Sequence, residues 1–80
     1  MALTQRECIA ASLQSFGYVS VPTRSNKYMA FATPAAPTQI YFIGKSGGLR
    51  YGRNVSESVS VLETTRKRWL NLGKTILEKK

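Results

Sequence analysis

Lys45, Arg50 and Arg53 are set among Ile40, Tyr41, Phe42, Ile43, Leu49 and Tyr51 in the stretch IYFIGKSGGLRYGR, residues 40–53. The chemistry open to such a group is recognition of polyanions, in which Lys and Arg contact phosphate oxygens and planar side chains stack on bases. Arg24 and Lys27 precede the first long apolar run, and Arg66, Lys67, Arg68 and Lys74 lie near the end of the chain. These cations are the candidate nucleic-acid-binding residues. Tyr28, Tyr41 and Tyr51 are candidates for base stacking, in competition with cross-strand packing.

Other chemistries are poorly supplied. The chain has no His and no Asp, and its four Glu residues are scattered, so no acid–base pair can be assembled from neighbours in sequence. The one cysteine, Cys8, rules out a Cys-based zinc site and an intrachain disulfide, and is expected in the core. A Tyr nucleophile supported by Arg, drawn from Tyr41, Tyr51, Arg50 and Arg53, lacks an activating neighbour. Gly44-Lys45-Ser46 resembles the end of a phosphate-binding P-loop, but Gln39 stands where that motif needs its first Gly. Gly44-Lys45-Ser46-Gly47 fits the G-x-x-G of RNA-binding KH loops, which join helices, whereas strands are expected on both sides here. A binding protein is therefore expected, with no enzyme activity, cofactor or metal.

The composition agrees. Twelve Lys and Arg against four acidic residues give a net charge of +8, and each phosphate such a surface neutralises releases condensed counterions. DNA is preferred over RNA, because a basic two-stranded ribbon suits the major groove and would bring Arg50 or Arg53 to a base edge. The alternative is a protein-binding module or inhibitor that targets an acidic protein surface. With no basic and apolar leader and no apolar run near 18 to 20 residues, a cytoplasmic chain without membrane association is expected. The oligomeric state is left open.

Eighty residues make a single domain, 1–80, with a modest core. Thr4 and Glu7 form a capping box, Leu3 and Cys8 a hydrophobic staple, and Gly17 a left-handed cap for a helix from Gln5 to Phe16, whose Ile9, Leu13 and Phe16 share one stripe. Tyr18 to Val21 is extended up to Pro22, and Thr23 to Asn26 is a turn. Strands are expected over Lys27 to Thr33, Thr38 to Gly44 and Gly48 to Arg53, with Pro34 to Pro37 breaking the first from the second and Lys45 to Gly48 as a tight turn. In the first strand Tyr28, Ala30 and Ala32 share one face, and Met29 and Phe31 the other.

Asn54 to Ser60 reads as a polar connection. A second capping box, Ser60 to Glu63, opens a helix in which Leu62, Thr65, Trp69, Leu72 and Ile76 face the sheet. Gly73 ends or weakens it, at about 1 kcal/mol relative to Ala, and Lys79 and Lys80 fray. The fold class is α+β, in the order α-β-β-β-α, with a three-stranded antiparallel sheet and both helices on one face. That order resembles double-stranded-RNA-binding domains in topology alone. The Pro34 to Pro37 loop lacks their Gly-Pro-x-His, and Arg66-Lys67-Arg68 matches their basic helix start only loosely.

Overall fold

A computed structural model describes residues 4–24 and 26–79. Leu3, Ser25 and Lys80, assigned above to the staple, the first turn and the frayed end, lie outside the described residues. The elements run α1 (Gln5–Ser15), β1 (Val19–Val21), β2 (Tyr28–Thr33), β3 (Ala36–Gly44), β4 (Leu49–Gly52), β5 (Val59–Ser60) and α2 (Glu63–Glu78). The strands form one antiparallel sheet in the order β1-β2-β3-β4-β5, with helices packed on it.

The domain is thus α+β, with five strands in its sheet rather than three. Of the outer two, β1 falls within the stretch Tyr18 to Val21 that the sequence marks as extended without placing it in the sheet, and β5 is hidden by its shortness. Val19 pairs with Ala32 and Val21 with Ala30, whereas β5 contributes only Val59 and Ser60, opposite Tyr51 and Arg50. Strands of two or three largely exposed residues leave no alternation to read. The Pro34 to Pro37 break is also shorter than expected. Pro34 and Ala35 alone turn the chain, Ala36 pairs with Thr33, and β3 runs on through Pro37 where the β2–β3 register shifts, an irregularity that tolerates a residue without an N–H.

Helix α1 begins as its sequence requires, with the Thr4 hydroxyl accepting from the Glu7 N–H at 3.1 Å, and Gly17 follows its end at φ 89°. Ile9 and Leu13 are fully buried and pack with Phe31, Ile43 and Leu49 from the sheet. The start of α2 differs from the expected capping box. Leu62 is the N-cap residue, makes no side-chain cap bond and is 75% exposed. Ser60 belongs to β5 instead, where the ladder to Arg50 holds its backbone extended. Val61, not Leu62, reaches the core.

Gly73 neither ends nor weakens α2. It is buried, and a Cβ built on it would overlap the Cys8 carbonyl group and lie 2.9 Å from the Cys8 Cα. The two helices therefore cross backbone to backbone at Cys8 and Gly73. One turn along, the buried Ser12 hydroxyl donates to the Trp69 carbonyl at 2.7 Å. Glycine is here the residue that permits contact, and its low helix propensity is outweighed by α1 packing against it.

Candidate functional site

Strand register divides the sheet into two faces. Phe31, Tyr41, Tyr51 and Val59 lie opposite one another in neighbouring strands, and so do Met29, Ile43 and Leu49. This is the face that α1 and α2 cover. The Tyr41 ring meets those of Tyr51 at 4.7 Å, Tyr18 at 5.5 Å and Trp69 at 6.0 Å. Burial, with Tyr18 and Tyr51 beside it, pushes the Tyr41 phenol above its ordinary value, the reverse of what an activated nucleophile needs. Tyr41 and Tyr51 thus pack on the helix side, away from the open face.

The other, open face carries Tyr28, Ala30, Ala32, Ile40, Phe42 and Arg50, although Ala30, Ala32 and Phe42 on it are each only 2% exposed. Two connections rise over it. The segment after β1, Pro22 to Arg24, and the segment after β4, Arg53 to Ser56, form the walls of a trough of about 460 Å³ whose floor is Ile40 and Phe42. Pro22 and Val55 extend the apolar lining, and Thr23, Asn54 and Ser56 add hydroxyls and an amide. Arg24 and Arg53 both line it, from loops that leave opposite ends of the sheet. Arg24 has no ion pair among the described residues, and Arg53 meets only the exposed Glu57, at 3.7 Å, a pairing of little energetic weight.

The second wall is held rigidly. The Asn54 side-chain oxygen accepts from the Ser56 hydroxyl at 2.7 Å and the Glu57 N–H at 2.9 Å. Asn54 in turn donates to the Glu57 carboxylate at 3.1 Å. Both the N–H and the hydroxyl of Ser58 donate to the Val55 carbonyl. An Asx turn of this kind fixes a loop before any ligand arrives. The hydroxyl-rich string NVSES carries the signal for it, although by composition alone the string reads as a plain connection.

Beside the trough, the Tyr28 ring stands edge-on to Phe42 at 6.4 Å and covers the bare backbone of Gly44. Lys27, Tyr28, Gly44, Lys45 and Ser46 border a second depression of about 400 Å³ at the hairpin end of the sheet. Four cations therefore surround the open face: Arg24 and Arg53 at the trough, Lys27 and Lys45 beyond Tyr28. The ladder from Gly44 to Ile40 between these ends covers about 13 Å at ~3.3 Å per residue.

The remaining sequence candidates are placed elsewhere or are engaged. Arg50 turns inward along the sheet, donating to the Ser58 hydroxyl at 2.8 Å, the Ser58 carbonyl at 2.7 Å and, more weakly, the Ser60 hydroxyl at 3.5 Å. Arg66 has a side chain only 18% exposed. It pairs with Glu63 and donates to Gln5 at 2.9 Å and the Gly47 carbonyl at 3.4 Å, joining α2, α1 and the hairpin turn. The same guanidinium holds the Glu63 carboxyl below its usual range. Lys67, Arg68 and Lys74 are exposed on α2 and belong to a separate surface from the open face. Arg6, which no local pattern in the sequence singles out, donates to the Lys27 and Ile43 carbonyls and ties α1 to the hairpin end of the sheet.

Arg50 has a structural consequence. Arg50→Ala should cost about 1 to 3 kcal/mol in chemical denaturation, since hydrogen bonds from a charged donor are lost and Ser58, 5% exposed, keeps unpaired groups. Arg50→Lys should recover little of this, because an ammonium cannot reproduce the fork. An unchanged denaturation midpoint in Arg50→Ala would leave the inward bonds without energetic weight.

Comparison with protein-family models, curated proteins and solved structures finds no match to this chain. No helix among the described residues is long and apolar enough to cross a membrane.

Proposed function

We propose that this chain is a small nucleic-acid-binding module that engages sugar–phosphate backbone across the open face of its sheet. The observation that supports the reading is the pair Arg24 and Arg53 lining one largely apolar trough, Arg24 with no ion pair among the described residues and Arg53 paired only with the exposed Glu57 at its rim. Lys45 and Tyr28 continue the same surface toward the hairpin end, so cations and a planar ring alternate along it. A run of this length matches about four nucleotides of one stacked strand at ~3.4 Å each. The net charge of +8 adds long-range attraction to any polyanion.

The test is a salt titration of wild-type protein against labelled DNA and RNA oligonucleotides. Log affinity should fall linearly with log salt, with a slope of roughly −2 to −3 if Arg24, Lys45 and Arg53 each meet a phosphate. No binding at low salt, together with a tight, salt-tolerant complex with an acidic protein, would replace this reading by the protein-partner alternative.

A further inference from the structure

Resting on the nucleic-acid reading, we infer that the trough between Pro22–Arg24 and Arg53–Ser56 receives one unpaired nucleotide, so that the chain binds single strands in preference to duplex. Reading a duplex through the β3–β4 hairpin requires a ribbon free to enter a major groove about 12 Å wide and about 8.5 Å deep. This hairpin is not free. Its turn is closed by the Gly44 N–H to Gly48 carbonyl bond at 2.8 Å, and Gly47, at φ 90°, sits so close to α1 that a Cβ there would lie 2.5 Å from the Gln5 Cβ. The Gly47 carbonyl also accepts from Arg66, so the tip is part of the domain body. Arg50, the hairpin residue best placed for a base edge, already donates to Ser58 and Ser60.

The trough has the opposite character. At about 460 Å³ its volume falls within the range of small-ligand pockets and gives room for one nucleotide laid across it. Ile40, Pro22 and Val55 offer an apolar bed for the flat faces of a base, and Arg24 and Arg53 in the same lining supply guanidiniums for the flanking phosphates. Tyr28, at the edge of Phe42, is the stacking platform for the next base along, with Lys45 beyond it. Asn54 commits its amide to Ser56 and Glu57. Little is then left to read a base edge, and weak sequence preference is expected, as for binders that rely on stacking and charge.

The experiment measures fluorescence anisotropy of labelled oligo-dT, oligo-rU and a mixed-sequence duplex of about ten nucleotides or base pairs, a length within the range of single-strand binding modules. Wild-type protein and Arg24→Ala/Arg53→Ala are compared, with circular dichroism to verify folding. Wild type should bind one or both single strands at least about tenfold more tightly than duplex, and the double variant should lose most of that margin. The dT and rU arms distinguish DNA from RNA as the source of the strand. Duplex bound as tightly as single strands, or a double variant that keeps the full margin, overturns the inference while the nucleic-acid reading stands. Absence of binding to all three at low salt overturns both.

Discussion

Gly73→Ala will unfold this domain or come close to it, although local propensity alone forecasts the reverse. In an isolated helix the change gains about 1 kcal/mol. Here the added methyl collides with the carbonyl oxygen, the carbonyl carbon and the Cα of Cys8. Because these are backbone atoms, no rotamer change on α1 relieves the overlap, and the helices must separate. Separation would break the Ser12 to Trp69 hydrogen bond and loosen the packing of Trp69 and Leu70 against the core cluster. A net loss of about 3 kcal/mol or more is expected, at the upper end of overpacking effects. That is a large share of the roughly 4 to 12 kcal/mol held by a domain of this size at about 0.05 to 0.15 kcal/mol per residue. The melting temperature should fall by about 12 to 24 °C, or the transition disappear. Gly48→Ala is the control, since a Cβ added there would meet nothing within 4 Å and its φ is not positive; its stability should move by less than about 0.5 kcal/mol. A Gly73→Ala protein as stable as wild type would remove the close helix crossing.

The same glycine illustrates what the sequence could disclose. Signals that act within a few residues were legible: the Thr4 cap, the Gly17 terminus, the Gly-rich β3–β4 turn and the apolar run of β2 all correspond to observed elements. Signals whose meaning depends on a distant partner were not. Gly73 reads as a helix defect until Cys8 is placed against it, and Ser60 reads as a helix cap until Arg50 is placed beside it in the ladder. The candidate site follows the same division. The cations were visible by type, but Arg50 and Arg66 are drawn into hydrogen bonds with Ser58, Gln5 and Gly47, residues 8, 61 and 19 positions away. Register separates Tyr28 from Tyr41 and Tyr51, and register needs the pairing of strands. Two loops from opposite ends of a sheet converge on the trough, and no local pattern encodes that meeting.

Replacing Arg24, Lys45 and Arg53 together by Ala should reduce oligonucleotide affinity at low salt by about two orders of magnitude, since three phosphate contacts and their counterion release are lost. Folding should be retained, because all three are exposed and the ion pair removed, Arg53 with Glu57, lies on the surface with side chains 74% and 58% exposed. Lys67→Ala/Arg68→Ala/Lys74→Ala removes the same charge from α2 and is the matched comparison. It lowers the general attraction of the protein for a polyanion but leaves the open face intact.

The most direct measurement is therefore the slope of log affinity against log salt for wild type and these two triple variants, taken on one single-stranded oligonucleotide. Binding through the open face predicts that the Arg24, Lys45 and Arg53 variant loses about 2 units of slope, at about 0.7 per phosphate on a single strand, and that the α2 variant keeps a slope near that of wild type. A folded open-face variant that retains the wild-type slope, with the loss appearing in the α2 variant, would contradict the assignment of the site to the open face of the sheet.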